Sequence, residues 1–117
     1  MGAVRKEMTD DPLQCMELLL GWRNRKYTGL VDAIGLNEKT IRRMANGETD
    51  SKLNTVVRIC FGLNLPPTIS EKLLDVFGCK LLINNQDHQW IKEAMTILYM
   101  HPYDCVVEWL YDYGVEI

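Results

Sequence analysis

The chain is predicted to fold entirely as α-helices, and three observations carry that prediction. Apolar residues return at steps of three and four, as in Leu13, Met16 and Leu20 or Ile69, Leu73 and Phe77, the spacing that lines one face of a helix. Glycine or asparagine closes these patterns at Gly35, Gly47, Asn64, Gly78 and Gly114, where a helix needs a residue tolerant of left-handed backbone. The one stretch that favours a strand, Cys79 to Ile83, has nothing obvious to pair with, so it reads as a loop or edge extension.

Asp10, Asp11 and Pro12 start the first helix, because proline is tolerated in the first turn and carboxylates suit the positive pole of the helix dipole. It is expected to run to about Asn24, with Leu13, Met16, Leu20 and Trp22 inward. Arg23, Arg25 and Lys26 at its end suit the negative pole as well as they would suit a phosphate. Trp22 reads as a packing residue, since no sheet of spaced aromatics accompanies it. Leu30 and Ile34 line a second helix that stops at Gly35, with Thr28 as its candidate cap. Asn37 caps the third, which runs to Asn46 and Gly47. There Ile41 and Met44 face the core, which turns Glu38, Lys39, Arg42, Arg43 and Asn46 outward.

A polar turn over 48–51 leads to a fourth helix, Leu53 to Leu63, with Val56, Ile59, Cys60 and Leu63 inward. Pro66 and Pro67 force an extended turn and pre-set a fifth, striped by Ile69, Leu73, Leu74 and Phe77. Asn84, Asn85 and Asp87 announce a sixth with Ile91, Ala94, Met95 and Leu98. His101, Pro102, Tyr103 and Asp104 start a seventh with Val106, Trp109, Leu110 and Tyr113. The expected organisation is a five-helix core over 1–78 and a helical hairpin over 79–117, packed on that core or forming an interface.

The central stretch YTGLVDAIGLNEKTIRRMANG resembles the helix-turn-helix of the phage-repressor (Cro and repressor) family of bacterial and phage transcriptional regulators. Gly35, Ile41, Met44 and Gly47 fall where that family places its turn glycine, two core aliphatics and terminal glycine. Leu53, Thr55, Val56, Ile59 and Leu63 are similar to its fourth helix, and the likeness covers roughly residues 13–77. The chain departs from the family at Lys26 and Tyr27, where Thr then Gln are common, at Val31 in place of a small alanine, and at Ala45 in place of an acidic residue. The resemblance implies a repressor-like core and sequence-specific binding of double-stranded DNA, with the helix over 37–46 in the major groove. On that reading Asn37, Glu38, Lys39 and Arg43 occupy base-facing positions, with Thr40, Arg42 and Asn46 nearby. Arg43 and Lys39 would donate to guanine O6 and N7, and Glu38 would accept from cytosine N4. Tyr27, Lys26 and Arg25 would hold phosphates and set register. Most readers of this type dimerise, which implies two half-sites about 34 Å apart. The reading requires the cations around Arg42 to project outward, free of the chain's own carboxylates.

Charge supports a divided surface. Between Trp22 and Gly47 stand Arg23, Arg25, Lys26, Lys39, Arg42 and Arg43 against Asp32 and Glu38, a local +4 in a chain of −3, so the remainder carries −7. A field segregated in this way orients an acidic protein with one face toward DNA and makes affinity modest and salt-dependent. From Thr68 onward three basic residues face eight acidic ones, among Trp90, Tyr99, Tyr103, Trp109, Tyr111 and Tyr113. That composition suits a homodimer or protein-partner interface, for which Trp90, Tyr99, Trp109, Tyr111 and Tyr113 are candidates. A protein-interaction module on the same scaffold, part of a larger regulator or an antitoxin-like partner, is the alternative function.

Cys15, Cys60, Cys79 and Cys105 form no close pair, so zinc-ribbon patterns are absent. Cys15, Cys60 and Cys105 are expected to act as small buried hydrophobes. His101 and Cys105 lie four apart, but Pro102 makes His101 a helix-start residue and no second pair accompanies them. No nucleophile motif, metalloprotease motif or phosphate loop occurs, so neither catalysis nor a cofactor is expected. A charged start without an apolar segment, and no apolar run of roughly 20 residues, point to a cytoplasmic protein with no membrane span.

Overall fold

A computed structural model describes residues 2–117, and within them the chain is all helical with no strand. The helices are α1 (Gly2–Glu7), α2 (Pro12–Trp22), α3 (Tyr27–Ile34), α4 (Glu38–Ala45), α5 (Leu53–Gly62), α6 (Pro67–Val76), α7 (Gln86–Ile97) and α8 (Tyr103–Asp112). The first of these was not legible in sequence. It is short: Val4 within it and Met8 just past its end sink into the core, so the apolar pattern spans about one turn. None of these helices is long and apolar enough to cross a membrane.

Local chemistry sets the boundaries. Asp11 accepts from the Leu13 amide at 3.0 Å, Asn37 from Lys39 at 2.8 Å and Asn85 from His88 at 3.2 Å, three side-chain caps on three N-termini. Helix α3 is different: its cap position is Lys26, which offers no acceptor, so Thr28 lies within the helix and caps nothing. At the other ends the chain turns through left-handed residues. Gly35 has φ +68° and Asn64 has φ +51°, and the amides of Leu36 and Leu65 then reach back to the Val31 and Cys60 carbonyls at 3.1 and 3.0 Å. His101 lies before α8 and Pro102 takes its cap position, so that helix starts at Tyr103.

Helix α5 is the centre of the fold. Val56, Val57, Ile59, Cys60, Phe61 and Gly62 are all buried, leaving little of its surface to water. Helices α3, α6 and α8 pack around it. The α7–α8 hairpin adds Ile91, Ala94, Met95, Val106 and Leu110 to the same continuous core. The radius of gyration, 13.1 Å, matches the roughly 13 Å of a close-packed domain this size, so the hairpin folds onto the rest.

One expectation about side chains needs correction. Cys105 precedes Val106 and is rotated out of the α8 stripe, so it is exposed, whereas Cys15 and Cys60 are buried as expected. Trp90, Trp109 and Tyr113, candidates for an interface, also touch one another: Trp90 meets Tyr113 at 4.1 Å and Trp109 edge-on at 5.8 Å, with Tyr113 still 48% exposed. That trio closes the hairpin and leaves Tyr111, 64% exposed, as the most open ring of the group.

Helices α3 and α5 approach closely at Gly62. A Cβ there would lie 2.5 Å from Ile34 Cγ2 and 2.9 Å from Leu30 Cδ1, so Gly62→Ala is expected to cost about 1–3 kcal/mol through overpacking. At Gly29 in α3 a Cβ meets nothing within 4 Å, and Gly29→Ala is expected to gain roughly 0.5–1 kcal/mol. Urea denaturation midpoints shifted in the same direction for both variants would contradict this packing.

Burial pushes the Cys60 thiol up to about 12 and raises those of Cys15 and Cys79. Thiolate is the reactive form, so in the native protein at pH 7.5 iodoacetamide is expected to modify Cys105 first, Cys79 slowly and Cys60 only after unfolding. Peptide mapping by mass spectrometry reads that order directly.

Candidate functional site

The exposed outer face of α4 and the cleft where it meets the start of α3 form the candidate site. Ile41, Met44 and Ala45 are buried and seat α4, while Lys39, Thr40, Arg42, Arg43 and Asn46 are exposed. Three residues, Gly35 to Asn37, join the two eight-residue helices. Asn37 is exposed and its side chain is committed to the Lys39 amide, so its role on this face begins with holding the N-terminus of α4.

The cations divide into two groups. Lys26 and Lys39 form no ion pair among the described residues, and Arg43 approaches Glu48 only at 4.0 Å with both side chains more than half exposed. Arg42, by contrast, is held by its own chain: its Nε donates to Glu38 at 3.1 Å, and its guanidinium lies 4.2 Å from the centroid of the Tyr27 ring. The expectation of a fully free cluster therefore holds for Lys39 and largely for Arg43, not for Arg42. Exposed i, i+4 ion pairs contribute about 0.3–0.5 kcal/mol and exposed cation–π contacts roughly 0.5–1. The restraint on Arg42 is thus on the order of 1 kcal/mol, which one new charge-assisted hydrogen bond of about 1.5–3 kcal/mol exceeds.

Two expected phosphate ligands sit differently from their assignment. Tyr27 is 8% exposed, and its hydroxyl is buried without a hydrogen-bond partner. Burial raises its pKa, as do Glu17 and Glu38, against the opposing pull of Arg42. Arg25 is exposed, but its Nη1 donates to the Gly62 carbonyl at 2.9 Å and its Nη2 reaches Asn64 Oδ1 at 3.5 Å. Arg23 likewise donates to the Asn64 carbonyl at 2.7 Å and stacks on Trp22. Both arginines satisfy carbonyls left open at the end of α5.

A residue the sequence reading passed over holds the turn. Arg58 of α5 donates through Nη2 to the Ile34 carbonyl, the last of α3, and through Nε to the Tyr103 hydroxyl of α8 at 3.1 Å. The available signal was a lone cation between buried Val57 and Ile59. Asn64 works in the same way, donating to the Tyr99 and His101 carbonyls at 2.9 Å and so pinning the α7–α8 turn to the end of α5.

Comparison with known protein families, characterised proteins and solved structures finds no match to this chain. The functional reading therefore rests on its own side chains.

Replacing Arg58 by alanine opens the Ile34 carbonyl and strands the Tyr103 hydroxyl. Losing bonds to a charged donor is expected to cost about 1.5–3 kcal/mol, while Arg58→Lys recovers only part because one ammonium cannot span both acceptors. Thermal melts of the two variants, with hydrogen exchange at Leu36, check this; an unchanged Leu36 rate in Arg58→Ala would mean the turn stands without it.

Proposed function

We propose that the chain is a sequence-specific double-stranded-DNA-binding protein, a repressor-like transcriptional regulator that lays α4 in the major groove. The observation that carries this reading is the face of α4 itself: Lys39, Thr40, Arg43 and Asn46 exposed together on a helix seated by Ile41, Met44 and Ala45. A short turn after Gly35 and the resemblance of residues 13–77 to the repressor family support it. Arg43 and Lys39 have the reach and donors for guanine O6 and N7, so a G-containing half-site is expected. Glu38 is better assigned to holding Arg42 than to accepting from cytosine. Lys26, at the open N-terminus of α3, is the best-placed phosphate ligand.

The charge on this face bounds the affinity. Of the cations on this face, Arg42 is paired with Glu38 and Arg25 is held by the Gly62 carbonyl, which leaves Lys26, Lys39 and Arg43 to meet phosphates. About three phosphates neutralised gives a log K against log salt slope near −3, far shallower than that of strongly basic binders.

A second reading, a protein-interaction module, draws on α8. Asp104, Glu108 and Asp112 recur every four residues and are exposed, with Tyr111 open beside them. That surface repels DNA and has the composition of an interface rim and anchor.

Fluorescence anisotropy with a random-core duplex pool, from 25 to 200 mM KCl, separates the two. Binding with a slope of about −3, weakened at least tenfold in Lys39→Ala/Arg43→Ala and unaffected in Lys92→Ala, is the outcome expected of a groove reader. Absence of binding at 25 mM KCl would remove the first reading and leave the second.

A further inference from the structure

We infer that the Asn46–Gly47 junction, where α4 ends, is a self-modification site at which the Asn46 side-chain amide is converted to a carboxylate without an enzyme. The conversion adds a negative charge to the α4 face and is irreversible.

An asparagine loses its amide when the backbone nitrogen of the next residue attacks the side-chain carbonyl carbon. A side chain on that next residue obstructs the attack, and ordered structure withholds the nitrogen. Of the asparagines at 24, 37, 46, 54, 64, 84 and 85, only Asn46 precedes a glycine. The fold itself demands that glycine. Gly47 stands at φ +78°, a left-handed conformation that strains any residue with a Cβ, and nothing lies within 4 Å of where a Cβ would be. Asn46 is exposed, just past the last residue of α4, and its side-chain amide has no hydrogen-bond partner among the described residues. The side chains of Asn37, Asn54, Asn64 and Asn85 are each committed to a hydrogen bond.

One restraint opposes the attack. The Gly47 amide donates to the Met44 carbonyl at 3.2 Å and the Glu48 amide to the Arg43 carbonyl at 2.9 Å, the paired bonds of a left-handed helix stop. The attacking nitrogen is therefore held by a bond at the long end of the N–H···O range, and reaction proceeds when this last turn opens. There the Gly47 nitrogen gives its proton to solvent and bonds to Asn46 Cγ, while the bond from Cγ to the side-chain nitrogen breaks and ammonia leaves. Water then opens the cyclic imide at either carbonyl. The products are an aspartate in the ordinary main chain or one whose main chain runs through the former side chain; water is consumed, ammonia is released and nothing is oxidised.

The new carboxylate lies three and four residues after Arg43 and Arg42, within reach of both, and at the negative pole of α4. It competes for the cations of the face and destabilises the last turn. The rerouted main chain adds a methylene ahead of Gly47 and breaks both bonds of the stop. That this weakens DNA binding rests on the reading of α4 as a groove reader; the modification itself does not.

The test is to age the full chain at pH 8 and 37 °C in water enriched in oxygen-18, native and in urea, and to map peptides by mass spectrometry. Conversion at Asn46 with uptake of the heavy oxygen is expected in the native chain, several-fold slower than in urea and ahead of every other asparagine. Asn46→Gln is expected to remove it. Native conversion below one-tenth of that in urea, or conversion at exposed Asn24 or Asn84 as fast as at Asn46, would overturn the site. The aged protein, separated by anion exchange and returned to the anisotropy assay, is expected to bind duplex at least several-fold more weakly than fresh protein. If fresh protein binds no duplex, the groove reading fails while the mass map still decides the site; equal binding by aged and fresh protein would overturn the effect on the face.

Discussion

The fold depends on open carbonyls at helix ends being answered by guanidinium groups from elsewhere in the chain. Arg58 takes the last carbonyl of α3, and Arg23 and Arg25 take those of Asn64 and Gly62 behind α5. Each bond bridges elements far apart in sequence. The constraint also redirects charge. Of the six cations between Trp22 and Gly47, Arg23 and Arg25 are spent on the protein's own backbone, which leaves a smaller positive face than the bare count implies.

Helix α5 explains why that arrangement is rigid. Its burial on nearly all sides, with Gly62 allowing Leu30 and Ile34 to close on it, fixes α3 in position and direction. Arg58 then holds the turn at Ile34, and the turn sets where α4 leaves. Tyr103 of α8 is bonded to the same guanidinium, so the C-terminal hairpin and the α3–α4 turn share one anchor. A hairpin packed elsewhere would leave Arg58 half satisfied.

Much of this was legible residue by residue. Helices α2 to α8 each carry a start signal or a left-handed stop together with an apolar stripe, and those signals are local. Helix α1 escaped because two apolar residues in one turn make no period. The outward face of α4 followed from Ile41 and Met44 alone, since a buried pair three apart fixes the rest of an eight-residue helix. The partners of the arginines did not follow. Arg58 and Ile34 are 24 residues apart, Arg25 and Gly62 are 37 apart, and Arg23 and Asn64 are 41 apart, so no window of sequence contains both ends of any bond. Tyr27 illustrates the same limit. A tyrosine at a helix start reads as exposed, and only the packing of α2 and α4 around it shows that it is buried.

Arg42 is the residue on which the functional face turns. Held by Glu38, it cancels a charge within α4 and leaves Lys39 and Arg43 to set the potential that a ligand meets. Released, it adds a cation on the side facing α3 and exposes a carboxylate one turn earlier. The restraint on it is on the order of 1 kcal/mol, smaller than the roughly 1.5–3 kcal/mol of one charge-assisted hydrogen bond, so a single such bond to a partner would be enough to release it.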